Sequence, residues 1–407
     1  MDIVESRLYY GNAYLATFEA SVVEQFPVGD AVGAVLERTA FYPTSGGQPH
    51  DAGCLDGLPV TDAFERETDH VVVHVVRERL SGPDVHGEID WARRFDFMQQ
   101  HTGQHILSHA AEALFDADTV GFHLTEDTLT IDLNRASLSL EEAAALEERA
   151  NALIFADWPV VAAFRTQTEV DRLPLRKPPT VSGPIRIVSI GDADFSPCGG
   201  THCSSTGAVG QILIRKIERR GAVSRVEFVC GGRALAHARR VHRLVCELAG
   251  QFGVGEGELR ESVARVVEEA KSSCRDLKAA EERLLSYEVA ELLHGADMVV
   301  EARLVKAVFQ DRPPASIKYL ALRLMESPRC LALLGLIQDG RAQLTFARSA
   351  DLTIDVRPLL REACRRVGGS GGGQPNIAQG GGPQSDQIES ALDTAGQAVR
   401  ALLAQPS

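Results

Sequence analysis

Two short motifs restrict what this chain can fold into: His101-Thr-Gly-Gln-His105 and Cys198-Gly-Gly-Thr-His202, separated by about ninety residues. Each spaces two soft donors by four positions. On a helix, positions i and i+4 lie on one face, so His101 and His105 can address a single ion. The second pair sits in a Gly-Gly turn, where backbone freedom lets Cys198 and His202 converge. Together they form a His/His/Cys/His set suited to one Zn²⁺ per chain. An HxxxH pair alone equally describes two partly buried histidines on a core-facing stripe. A second pair containing a cysteine shifts the reading to metal. Thr102 follows His101 where a metalloprotease helix carries glutamate, so the helix brings no general base and a peptidase is excluded.

The chain has 407 residues, 44% of them hydrophobic and 24% charged. That is enough for two to four domains with real cores. No apolar run reaches membrane-spanning length, and Met-Asp-Ile-Val-Glu is not a signal peptide. The eight cysteines are scattered, so a reducing cytoplasm is expected, with Cys198 available as a thiolate. A net charge of −14 argues against indiscriminate nucleic-acid binding. Between Ile212 and Arg243, however, nine basic residues stand against Glu218 and Glu227, a net of +7. This stripe fits either a phosphate contact or a solvated face.

The expected architecture is α+β in four parts. Residues 1–88 read as a β-rich, barrel-like domain, with strands such as Ala31–Leu36 and Val71–Val76 between Gly, Pro and Asp punctuation. Residues 89–235 read as a zinc-binding domain. It starts with a helix from Trp91, carries paired strands within Val120–Leu133, and has a Ser139/Glu142 capping box opening a helix to about Ala156. Strands are expected at Ile185–Ile190, Gln211–Ile217 and Arg225–Val229. Residues 236–295 form a helical segment in which Leu259, Val263, Val266, Ala270, Ser273, Leu277, Ala280, Leu284 and Tyr287 make a heptad seam. The seam suits either a second chain or an adjacent helix. Residues 296–407 alternate strands and helices, with the run Gly368–Gly382 expected as a flexible glycine-rich loop inside that last domain.

Four segments together carry a resemblance: Phe41-Tyr-Pro-Thr-Ser-Gly-Gly-Gln-Pro49 followed by Asp51 and Gly53, His101-Thr-Gly-Gln-His-Ile-Leu-Ser108, Cys198–His202, and Arg225-Val-Glu-Phe-Val-Cys-Gly231. The chain resembles the AlaX-type trans-editing proteins in their long form, which are related to the editing and C-terminal domains of alanyl-tRNA synthetase. The resemblance covers nearly the whole chain. It implies hydrolysis of mischarged tRNA(Ala), chiefly seryl-tRNA(Ala) with glycyl-tRNA(Ala) second, and no aminoacylation. It implies zinc ligation by His101, His105, Cys198 and His202, and an active-site loop in which Gln48 and Thr44 are the catalytic candidates. Gly46, Gly47, Thr201 and Arg225 are the substrate-binding candidates. It also implies tRNA contact and dimerisation through the helical segment and C-terminal domain.

The chemistry is reasonable on physical grounds. A synthetase pocket rejects an added hydroxyl by only about 10², so a second site must correct serine. The ester is already activated, which leaves a water to place and an oxyanion to stabilise. Gln48 would bond that water or the terminal ribose, and Thr44 would pair with the serine hydroxyl. For both, the competing reading is a loop residue capping its own turn. Four protein ligands close a tetrahedral site, so either His202 stands off the metal or zinc is organisational. Two alternatives remain: editing of seryl-tRNA(Thr), and a zinc-stabilised tRNA-binding protein without activity.

Overall fold

The computed structural model describes residues 3–176 and 184–404, which fall into two compact units, Met1–Leu248 and Ala249–Ser407. The first unit opens with two single-turn helices, α1 (Ile3–Ser6) and α2 (Leu8–Gly11). Six strands follow: β1 (Thr17–Val28), β2 (Ala31–Leu36), β3 (Gly53–Leu55), β4 (Leu58–Glu65), β5 (Val72–Val76) and β6 (Asp84–Ile89). They close into a barrel in the order β1-β2-β5-β4-β3-β6, which leaves no free sheet edge. Phe18, Phe41, Leu55, Val60 and Val76 fill its interior. His74 is buried there too. Its Nδ1 donates to Ala34 O at 3.0 Å and its Nε2 accepts from Thr39 Oγ1 at 2.7 Å.

The rest of this unit is built around α3 (Trp91–Phe115), which carries the first motif. Asp90 caps it by accepting from Arg93 N at 3.1 Å. From Phe97 to Ala111 nearly every side chain of α3 is buried, as expected of a helix packed on all faces. Around it stand β7 (Thr119–Leu124), β8 (Leu129–Leu133), α4 (Leu140–Phe155), β9 (Val160–Arg165), α5 (Gln167–Val170), β10 (Ile185–Ile190) and β11 (Asp194–Pro197), then β12 (Ile212–Arg220), β13 (Val223–Cys230) and α6 (Gly231–Phe252). The strands form two antiparallel sheets, β11-β10-β9 and β12-β13-β8-β7. The capping box at Ser139/Glu142 is formed as expected.

The second unit contains α7 (Leu259–His294), β14 (Asp297–Val299), β15 (Ala302–Gln310), α8 (Pro314–Met325), β16 (Cys330–Gln338), β17 (Arg341–Arg348), α9 (Val356–Arg366), β18 (Ser370–Gln374), β19 (Ile377–Gly382) and α10 (Ile388–Leu403). Its sheet runs β14-β15-β16-β17-β19-β18. Only β15 and β16 pair in parallel, with α8 as the crossover between them.

Two expectations are corrected here. The glycine-rich segment is no flexible loop: it is the β18–β19 hairpin, and β19 pairs with β17 through Ile377–Gly382. The heptad seam of α7 is not what packs within its unit. Leu277, Leu284 and Tyr287 are exposed, whereas Leu285, Val289, Leu292 and Leu293 on another face pack against the core with α8. The docked face follows the sheet it must cover, and the heptad count alone does not contain that constraint.

Candidate metal centre and active site

The loop between β2 and β3 and the turn after β11 both reach back to α3. Ser45 and Gln48 exchange backbone bonds, Ser45 N to Gln48 O at 3.1 Å and Gln48 N to Ser45 O at 2.9 Å. Gly46 and Gly47 form the corner with φ of 56° and 82°, the positive pair that a type I′ turn requires. This tight reversal turns Gln48 inward, and its side chain is fully buried. Asp51, two residues past the loop, is paired with Arg94 of α3, Nε to Oδ1 at 2.8 Å, and both side chains are fully buried. Asp51 Oδ2 also accepts from Tyr42 N at 2.6 Å. The loop is thereby fixed to the helix at both ends.

His101, His105, Cys198 and His202 meet as the motifs suggest, with all four donor atoms within 4.8 Å of one another. Cys198 Sγ lies 3.4 Å from His101 Nε2 and 3.3 Å from His202 Nε2. Donors on a tetrahedral Zn²⁺ stand about 3.5 Å apart. His202 therefore does not stand off from the cluster. Close approach of the turn depends on Gly200, where a Cβ would fall 2.2 Å from His101 Cε1.

The outer nitrogens of the rings decide their tautomers. His101 Nδ1 donates to Gln48 Oε1 at 2.7 Å. Gln48 Oε1 also accepts from Thr201 N at 3.2 Å, and Gln48 Nε2 donates to Thr201 Oγ1 at 2.8 Å. His202 Nδ1 lies 3.2 Å from Thr102 Oγ1, which also accepts from Cys203 N at 3.0 Å. His105 Nδ1 faces Asp194 Oδ2 at 3.8 Å and Arg176 Nη2 at 3.2 Å. A ring ligating through Nε2 would carry its proton on Nδ1 and turn it toward Asp194, whereas in the structure the group within hydrogen-bond distance of Nδ1 is Arg176 Nη2. His105 Nε2 is buried without a hydrogen-bond partner among the described residues. An orphaned nitrogen facing a thiol is what a missing cation leaves.

The charge state also fits. Burial opposes ionisation of Cys198, yet His101 and His202 beside it hold its pKa well below the usual thiol range. Burial pushes His202 down to about 3, against the pull of the Cys198 thiolate. Burial also works against charge on His105, but the neighbouring Asp194 carboxylate and Cys198 thiolate outweigh it and raise its pKa. A thiolate with neutral imidazoles is the ligand state zinc needs, and bound zinc would hold His105 neutral as well. Arg186 secures the turn by donating from Nη1 to Cys198 O at 2.9 Å and to Gly200 O at 2.8 Å.

A cleft of about 250 Å³ opens over this cluster. His101, His105 and Cys198 lie along it with Gly46, Phe122 and Arg176. Phe122 of β7 stacks on His101 with centroids 5.4 Å apart, and Gly47 packs against Phe122.

Other expected site residues take different places. Gln48 bonds both Thr201 and His101, and neither Gln48 nor Thr201 is among the residues along the cleft. Thr44 is exposed on the outer side of the loop, with Oγ1 3.2 Å from both His50 Nδ1 and His50 N. Arg225 is not brought to the cluster: its Nε and Nη2 grip Asp132 at 2.6 Å across the β13–β8 pair. Arg215, Lys216, Arg220 and Arg233 of the basic stripe are likewise paired with carboxylates. Sequence reasoning missed Thr102, Arg176, Arg186 and Asp194. Only Thr102, inside the first motif, had a visible signal.

Comparison with known proteins places the chain in a family. Residues 185–227 match the Threonyl and Alanyl tRNA synthetase second additional domain, and residues 304–401 match the DHHA1 domain. An alanyl-tRNA editing protein AlaX-L from Pyrococcus horikoshii is 31% identical over 92% of this chain and 94% of its own length. The chain belongs to the AlaX-L family. Alanine–tRNA ligases of Methanoregula boonei (30% identical) and Pyrobaculum neutrophilum (33%) match over 98% of the chain, which spans 44% of each ligase. No helix among the described residues is long and apolar enough to cross a membrane.

Proposed function

We propose that this AlaX-L family member is an aminoacyl-tRNA deacylase that hydrolyses mischarged tRNA(Ala) in trans, seryl-tRNA(Ala) foremost and glycyl-tRNA(Ala) second. The observation that carries the reading is the buried three-imidazole, one-thiolate cluster on the floor of an open cleft. His101, His105, Cys198 and His202 would hold one zinc ion. Zinc bound there supplies a Lewis acid and a fixed charge that orients the aminoacyl end. The chain's own residues do the rest. Gln48 and Thr102 hold the His101 and His202 rings, and Asp194 faces the His105 ring. Gly46 and Phe122 form part of the cleft wall beside the His101 ring. An activated ester needs little more than a placed water and a preorganised donor for the developing oxyanion.

Within this reading the second unit serves tRNA affinity. A homodimer through α7 is part of it, because Val263, Val266, Leu277 and Leu284 lie exposed along that helix. A monomer by sedimentation at micromolar concentration refutes the dimer. The deciding experiment for the activity is side-by-side deacylation of seryl-, glycyl- and alanyl-tRNA(Ala) and seryl-tRNA(Thr), with and without a chelator. Chelator-sensitive hydrolysis of seryl-tRNA(Ala), with alanyl-tRNA(Ala) spared, is expected. Preference for seryl-tRNA(Thr) transfers the reading to threonyl-type editing, and binding without hydrolysis makes the protein a tRNA-binding module.

A further inference from the structure

Arg176 follows α5 and lies against β11, its backbone N donating to Phe195 O at 3.2 Å. Its guanidinium is held in a fixed plane. Nε reaches Asp194 Oδ1 and Ser196 Oγ, each at 3.3 Å, and Nη2 donates to Ser196 Oγ at 2.9 Å. The third nitrogen differs: Nη1 is buried and has no hydrogen-bond partner among the described residues. Arg176 lines the same cleft as His101, His105 and Cys198. More than nine in ten buried polar groups in folded proteins are paired, and a guanidinium cannot discharge itself to escape the cost. Asp194 faces both this guanidinium and the outer edge of His105. One carboxylate thus faces both a candidate metal ligand and a cleft-lining guanidinium that carries an unused donor.

We propose that Arg176 Nη1 is a substrate-binding donor, which receives an oxygen carrying negative charge at the aminoacylated 3′ end of the RNA. This rests on the deacylase reading above. Two oxygens of that end share the required chemistry: the ester carbonyl oxygen, which becomes negative as the ester is attacked, and a non-bridging oxygen of the terminal phosphodiester. Arginine suits both, because its donors are fixed in a plane and remain protonated. The contact would complete the guanidinium's hydrogen bonding only when substrate is present.

The test uses the full chain loaded with zinc, and the variants Arg176→Gln and Arg176→Lys. Metal content is measured first and is expected to stay at one zinc per chain. Affinity is then measured calorimetrically for 3′-serylamino-3′-deoxyadenosine, whose amide is not hydrolysed, with and without a 5′-phosphate. Deacylation of seryl-tRNA(Ala) is followed in parallel. Arg176→Gln is expected to bind the phosphorylated analogue about tenfold more weakly, with Arg176→Lys recovering part of the loss. If the phosphate is the oxygen read, the loss disappears for the unphosphorylated analogue and appears in KM. If the ester oxygen is read, the loss persists with both analogues and kcat falls. Affinities, kcat and KM all within twofold of wild type overturn the proposal. So does loss of zinc from Arg176→Gln, which would make the residue a support of the metal site. A wild-type chain that does not hydrolyse seryl-tRNA(Ala) refutes the deacylase reading itself, an outcome distinct from an unaffected variant.

Discussion

Replacing Gln48 by leucine tests whether this glutamine faces the substrate or the metal site. In the structure its amide makes three hydrogen bonds, to His101 Nδ1 at 2.7 Å, Thr201 N at 3.2 Å and Thr201 Oγ1 at 2.8 Å. Leucine has similar bulk and no polar atom. It leaves the His101 Nδ1 proton unpaired where the side chain is fully buried. An unpaired buried donor costs about 1–3 kcal/mol, which corresponds to zinc affinity weakened roughly tenfold to a hundredfold. That range agrees with the usual effect of removing an outer partner of a metal-bound histidine. Gln48→Glu keeps an acceptor for His101 and loses only the bond donated to Thr201, whose hydroxyl can rotate to donate instead. It should hold zinc within a few fold of wild type. The assay is competition for zinc against a chromophoric chelator, run alongside deacylation of seryl-tRNA(Ala). If Gln48→Leu binds zinc as tightly as wild type yet loses hydrolysis, Gln48 acts on the water or ribose and the positioning argument fails.

Three further perturbations have defined outcomes. Cys198→Ala should abolish stoichiometric zinc, whereas Cys203→Ala should retain it, because burial pushes the Cys203 thiol up to about 12 and disfavours a thiolate; equal retention by both variants, read by elemental analysis, contradicts the ligand assignment. Thr44→Val should lower kcat/KM less than about threefold on seryl- and glycyl-tRNA(Ala) alike, since the hydroxyl contacts His50 on the outside of the loop and one such bond contributes about 0.5–1.5 kcal/mol; a tenfold loss confined to the seryl substrate restores Thr44 as the reader of serine. Burial holds His74 neutral, its pKa pushed down to about 4 from 6.5, so between these values the unfolded chain binds a proton that the fold refuses. Stability should fall by up to about 3 kcal/mol as pH drops through that window, and urea unfolding of His74→Gln at pH 7 and pH 5 should show a smaller drop than wild type.

The convergence of the four candidate ligands was legible in the sequence because regular spacing encodes it. A helix fixes His101 beside His105, and a glycine turn lets Cys198 reach His202, whatever surrounds them. The residues that hold the ligands leave no such trace. Gln48, Asp194 and Arg176 come from three separate segments, and their contacts with the histidines cross 53, 89 and 71 positions respectively. Gln48 was visible as a candidate for the water or the ribose, but its turn inward onto His101 depends on the I′ corner at Gly46–Gly47. Arg225 failed for a related reason. Its partner Asp132 is the residue directly opposite on β8, and register between distant strands is absent from composition and motif. The barrel was easier to read, because Ala31–Leu36 and Val72–Val76 are short apolar runs between turn residues.

The segment Gly368–Gly382 shows how composition can point the wrong way. Glycine-rich sequence usually means a solvated, flexible chain. Here glycine is used for closeness. A Cβ on Gly369 would fall 1.8 Å from Gly381 O, one on Gly382 would fall 2.0 Å from Val367 O, and one on Gly380 would fall 2.5 Å from Cys364 Sγ. The β18–β19 hairpin therefore lies directly against the buried side of α9, closer than any side chain would permit. Gly368 and Gly373 use the other property of glycine, with φ of 76° and 156°. The entropic cost of ordering so many glycines is offset by backbone pairing of β19 with both β17 and β18. Flanking sequence held the clue: α9 before the run and α10 after it are amphipathic helices of one core, which leaves the chain between them little slack in which to be flexible.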